Sequence, residues 1–162
     1  MSETGQPNGS EQSGANGQQL HVQIVGQYVK DLSFENPGAP MNGTVRPQIE
    51  LGVDVQARRL DPEHFEVELK LRVGAKSEEK NLFLLELSYA GLFHIHGAPE
   101  EILQQVLLID GPHLLFPFAR RIVADAIRDG GMPPLMLEPL DFGALYRAKA
   151  AEGQVSAGPL TA

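Results

Sequence analysis

The chain has 162 residues, with 21 Asp and Glu against 13 Lys and Arg, a formal net charge of −8, and neither cysteine nor tryptophan. That length fits one domain with short tails. The missing cysteines exclude disulfides, a thiol nucleophile and any Cys-based zinc site, and the acidic balance argues against nucleic acid, whose binders rely on a basic stripe.

Met1 to Gln19 is almost free of apolar residues. It lacks the basic start and apolar run of a secretory signal, and it has too little to bury to offset the entropy of ordering. It is expected to be a disordered, acidic and polar tail (1–19). No apolar run approaches the roughly 20 residues of a membrane-spanning helix. A soluble, cytoplasmic chain without direct membrane insertion is therefore expected.

The first half of the following domain carries a period of two, which sends alternate side chains to opposite faces of a strand. Leu20 to Phe34 is the first strand, with Val22, Ile24 and Tyr28 expected on one face. Asn36 to Gly43, with Pro37, Gly38, Pro40 and Gly43, reads as a longer loop. In the second strand Ile49, Leu51, Val53 and Val55 alternate with Gln48, Glu50, Gly52, Asp54 and Gln56, and Asp61-Pro62 ends it. In the third, Phe65, Val67, Leu69, Leu71 and Val73 alternate with Glu66, Glu68, Lys70 and Arg72. The polar stretch Ala75 to Lys80 closes a hairpin onto a fourth strand, Leu82 to Phe93, with Phe83, Leu85, Leu87 and Tyr89 inward. One apolar and one polar face per strand favours antiparallel pairing.

The second half switches to helical spacing. Pro99 opens a short helix through about Leu108, and Gly111-Pro112 is expected to punctuate it. From His113 to Asp129, Leu114, Leu115, Phe118, Ile122, Val123, Ala126 and Ile127 follow a helical period, with Pro117 expected to kink the early part. These apolar positions occupy more than one side of the helix, which predicts a second subunit against it. Gly130-Gly131 ends this helix, and Pro133-Pro134 prevents a restart. Pro134 to Leu140 reads as extended. Asp141 is expected to cap a last short helix with Phe142, Leu145 and Tyr146 on one face. Residues 152–162 form a second flexible tail, so the domain spans 20–151. Four strands followed by helices make an α+β fold.

No Walker A, GxGxxG, HExxH or GxSxG sequence occurs, which weighs against the common nucleotide-binding and hydrolytic families. His94 and His96, two apart on a strand, put both imidazoles on one face. They could meet one ion, but the plainer reading is a pair of strand-end histidines, since sequence places no third ligand. Ser88, His113 and Asp110 could be written as a hydrolytic trio, yet nothing activates the serine. Glu50, Asp54, Glu66, Glu68 and Glu86 fall on the polar face by alternation; a solvated surface is the plain reading and a docking patch the sharper one. Phe34, Phe142 and Tyr146 suit either a core or the wall of an apolar groove. No catalytic residue, metal or cofactor is assigned.

Several segments together resemble one family. Tyr28-Val29-Lys30-Asp31-Leu32-Ser33-Phe34-Glu35 before a Pro-rich loop is similar to the first strand of SecB, and Phe83-Leu84-Leu85-Glu86 with Gly91-Leu92-Phe93 to a later one. Leu115-Phe116-Pro117-Phe118-Ala119-Arg120, Gly131-Met132-Pro133-Pro134-Leu135 and Pro139-Leu140-Asp141-Phe142-Gly143-Ala144-Leu145-Tyr146 resemble its helical half. The loop Asn36 to Arg46 is shorter than in familiar members, with Val45 where an indole is often found.

The resemblance implies an ATP-independent chaperone, not an enzyme, with no nucleotide cycle. It implies a homotetramer, a dimer of dimers with helices sandwiched between outward-facing sheets. Clients would be unfolded preproteins held in an apolar groove lined by Tyr28, Phe34, Phe142, Leu145 and Tyr146. The loaded chaperone would dock on the SecA motor ATPase, whose zinc-bearing basic tail would meet Asp31, Glu35, Leu84 and Glu86. Two other readings stand beside it: a SecB-like general or toxin–antitoxin-associated holdase, and, more remotely, a metal enzyme using His94 and His96.

Overall fold

The computed structural model describes residues 19–38, 46–78 and 80–153. The two expected tails and the centre of the first loop lie almost wholly outside the described residues. Four strands, β1 (His21–Glu35), β2 (Gln48–Arg59), β3 (His64–Ser77) and β4 (Lys80–His96), form one antiparallel sheet in the order β1-β4-β3-β2. The alternation explains the sheet: Phe65, Val67, Leu69, Leu71 and Val73 of β3 and Phe83, Leu85, Leu87 and Phe93 of β4 line one buried face. Between β2 and β3 the Asp61 carboxylate accepts from the backbone N–H groups of Glu63 and His64, at 2.9 and 2.8 Å, and this fixes the turn.

β1 departs from the simple period. It carries irregularities between Ile24 and Gly26 and between Val29 and Asp31, each adding one residue against β4. An extra residue reverses which face the following side chains take. Val22 and Ile24 therefore share the inner face with Val29, Leu32 and Phe34, and Tyr28 stands on the outer face opposite Ala90. The expectation that Tyr28 joins Val22 and Ile24 is corrected by this bulge.

The helices also differ from expectation at one point. Helix α1 (Glu100–Gln105), a π-helical stretch (Val106–Asp110) and helix α2 (Gly111–Asp129) run on without a break. Pro112 has no N–H to donate and crowds the preceding turn; the wider π-turn accommodates it, with Gly111 donating to the carbonyl of Val106. Gly111 also lets the helix approach the sheet, since a Cβ there would stand 3.1 Å from Val67 Cγ2. Pro117 lies inside α2. The helix ends as its glycines predict: Gly131 has φ 84°, and Met132 N–H reaches the carbonyl of Ile127. Asp141 caps α3 (Phe142–Ala151), accepting from Ala144 N–H at 2.9 Å. Leu107, Leu115, Ala119, Val123 and Ile127 close the core over the inner face.

Candidate functional site

The outer face of the sheet is a grid of polar residues set by register. Across the ladders run Glu35–Leu84–Gly74–Glu50, then Ser33–Glu86–Arg72–Gly52, then Asp31–Ser88–Lys70–Asp54. Asp31, Glu35, Leu84 and Glu86 thus share one end of this face, as their parity predicts. Asp31 and Glu35 are exposed, Glu86 is part-exposed, and Leu84 is half-buried beside Gly74.

The carboxylates of this face differ in their partners. Glu50 pairs with Lys76 at 3.3 Å, Glu86 with Arg72 at 2.7 Å, and Asp54 with Lys149, which reaches from α3 to the edge strand. Glu68 meets Lys30 at 3.2 Å and Lys70 at 3.6 Å, and it accepts from the Ser88 hydroxyl. Among the described residues, Asp31 and Glu35 take part in no ion pair of this kind. They are the carboxylates here most open to an outside cation.

Glu66 departs from the expected solvated face. It is 7% exposed, beneath Tyr28, whose hydroxyl donates to it. Lys30, displaced by the second bulge, donates at 2.9 Å and Arg58 at 3.1 Å. Burial pushes the Glu66 carboxyl up, but Tyr28, Lys30 and Arg58 outweigh burial and hold it below the usual carboxylate range. A lowered folded-state pKa stabilises above the unfolded value and is lost as pH falls through the folded one. Glu66→Gln is therefore expected to lose about 1–3 kcal/mol at pH 7. In denaturant unfolding the gap from the parent should narrow as pH drops below 4.5, the ordinary value for a glutamate. A gap that stays constant between pH 7 and 3 would show that the carboxylate charge contributes nothing. Asp54 and Glu68 shift in the same direction, so the variant keeps part of the acid slope.

On the helix side the expected groove set divides. Phe142 is 3% exposed and meets Phe116 edge-on, with ring centroids 6.0 Å apart. It is core, and it offers no surface to a ligand. Leu145 and Tyr146 are half-buried, and the Tyr146 hydroxyl donates to Gln104 at 3.2 Å. Phe34 packs on Phe83 with centroids 5.9 Å apart, in space that Gly130 leaves open. Tyr28 is on the opposite face of the sheet. The residues that alternation named but left unassigned are Ile49 and Leu51. They point inward on β2 yet remain exposed, beyond the stretch where Val53 and Val55 join the core.

The polar trio of the sequence is not assembled, because Ser88 lies on the outer face and His113 on α2 beneath the inner one. His94 and His96 both turn to Glu63, at 3.1 and 2.6 Å, and His64 meets Asp61 at 2.9 Å. Among the described residues no group of three such side chains is arranged to hold a metal ion.

A family model described as preprotein translocase subunit SecB matches residues 15–153. The protein-export protein SecB of Parvibaculum lavamentivorans is 47% identical over 154 residues, 92% of this chain and 92% of that protein. That of Paramagnetospirillum magneticum is 52% identical over 142 residues, 85% of this chain and 90% of its own length. A SecB-like chaperone of Mycobacterium tuberculosis, solved with a peptide from an antitoxin, superposes with a TM-score of 0.65 at 23% identity. The superposition covers 74% of this chain and 90% of that one, and it is a likeness of fold. With the family model spanning both the sheet and the helix layer, and relatives near half-identical along almost the whole length, the chain belongs to the SecB family of protein-export chaperones.

Proposed function

We propose that this protein holds unfolded preproteins on the apolar surface beside α3 and β2, and delivers them to the SecA motor through the outer face of its sheet. The observation that carries this is the asymmetry of one sheet. Its outer face presents the carboxylates of Asp31 and Glu35, which form no ion pair among the described residues, while its inner face leaves Ile49 and Leu51 exposed on the edge strand β2. Basic segments and apolar segments can therefore bind the same protein without competing. Holding needs no nucleotide and no cofactor, because each contact is weak and a long unfolded chain engages many at once. The work is done in the cytoplasm, by a dimer of dimers whose subunits meet along β1 and α2.

Phe34, Leu145 and Tyr146, joined by Ile49 and Leu51, form the client surface in this reading. Leu51→Asp and Leu145→Asp are each expected to weaken capture of an unfolded precursor about tenfold, since a buried leucine contact is worth roughly 1.5–3 kcal/mol. Leu51→Asp is the cleaner variant, being exposed already and outside the core. Suppression of precursor aggregation, measured without ATP, reads the effect. Suppression equal to the parent's by a folded Leu51→Asp protein would remove β2 from the client surface, and by both variants would remove the surface altogether.

A further inference from the structure

We propose that Arg72 is a built-in competitor for the basic ligand of the outer face. This rests on the docking role proposed above for Asp31, Glu35, Leu84 and Glu86. Arg72 stands on β3 between Glu86 of β4 and Gly52 of β2. Its Nη1 donates to Glu86 Oε1 at 2.7 Å, the contact that an incoming lysine or arginine would itself make.

The pair is built to exchange. The two side chains are 66% and 45% exposed, so water screens their attraction. The hold is one hydrogen bond, where Glu66 has three donors. Gly52, directly opposite Arg72 on β2, has no side chain to hold the guanidinium from that side. Among the described residues no second carboxylate pairs with it. A ligand cation can displace Arg72 at small cost, but while Arg72 is in place it repels that cation. Asp31 and Glu35, which form no ion pair among the described residues, make the first contact, and Glu86 is reached by exchange. A lone positive charge gains little from such a surface. A segment with several gains more, so Arg72 selects for densely basic ligands.

The test is a low-salt titration of SecA into the intact protein and its variants. Arg72→Gln is expected to bind about two- to fivefold tighter than the parent. Glu86→Gln should cost more affinity in the Arg72→Gln background than in the parent, because only there is Glu86 already free. Arg128→Gln is the control for net charge; Arg128 is 60% exposed, pairs with Asp125 at 3.3 Å, and lies on α2. It should gain clearly less than Arg72→Gln. Unchanged or weaker docking by Arg72→Gln, or an equal gain from Arg128→Gln, overturns the proposal provided Asp31→Lys still weakens docking. If Asp31→Lys docks like the parent, the docking surface itself is wrong, and the role of Arg72 falls with it. Melting curves of each variant establish that it is folded.

Discussion

Phe118→Asp combined with Leu32→Asp is expected to reduce the proposed dimer of dimers to smaller species across the micromolar range. Helix α2 buries Leu115, Ala119, Val123 and Ile127 in the core over the inner face of its own sheet, and Phe116 against Phe142 of α3. Leu114 and Phe118 point elsewhere, and Phe118 is 47% exposed. Its ring stacks on Tyr89 with centroids 6.5 Å apart and planes 14° from parallel. Tyr89 in turn faces Val29 across the β1–β4 ladder, and Leu32 follows on the same inner face, both exposed. An apolar surface thus runs from α2 across Tyr89 to β1, which is an edge strand with unpaired backbone groups. Monomeric proteins seldom leave so continuous a patch to water. In a symmetric assembly each residue of the seam is present on both partners. Each buried side chain contributes roughly 1.5–3 kcal/mol, and a carboxylate placed there adds its own desolvation penalty. The two changes together should weaken association by several powers of ten. Light scattering over a concentration series checks this, with Met136→Asp, an exposed change on the extended link, expected to keep the parent mass. A double variant with the parent mass at sub-micromolar concentration would show that α2 and β1 do not form the subunit contact.

Much of this architecture was legible from spacing alone. β3 and β4 alternate without a break over the stretch that forms the core, so their inward residues follow from the period of two. β1 is less legible, because it is bulged twice. Only Gly26, a glycine inside a strand, marks the first bulge, and the second, around Lys30, has no glycine or proline beside it, yet each one reverses the strand's faces. A period of two misplaces Tyr28 for that cause, while Asp31 and Glu35, both beyond the second bulge, share one face. Gly111-Pro112 misled in the other direction. Local propensity called for a stop, but packing of Gly111 on Val67 and a π-turn carry the helix through. Phe142 shows the limit of amphipathic reasoning, because a helix face can be assigned from spacing, but whether that face meets core or ligand depends on Phe116, 26 positions earlier. The pairing of Glu86 with Arg72 and the burial of Glu66 depend on cross-strand register, which no single-strand period contains.

Charge reversal on the outer face should have the other large effect. Asp31→Lys with Glu86→Lys is expected to weaken SecA docking by one to two powers of ten at low salt, with client capture unchanged. Each exposed ion pair contributes a few tenths to about 1 kcal/mol, and reversal both removes an attraction and adds a repulsion. The two positions are not equivalent. Asp31 forms no ion pair among the described residues and is exposed, so its reversal acts mainly on the ligand. Glu86→Lys also sets a lysine beside Arg72, concentrating positive charge where a basic tail would lie. Alanine at either position removes only the attraction and should cost less than lysine. Raising the salt shortens the Debye length from about 10 Å at 0.1 M to about 3 Å at 1 M, so parent and variant affinities should converge. The proposed client surface lies across the sheet, on its inner side, and no charge changes there. Titration of SecA at two salt concentrations, beside an aggregation assay on the same preparations, separates the two roles. Equal affinity of parent and double variant at low salt would remove this face as the docking site and leave a holdase whose downstream partner binds elsewhere.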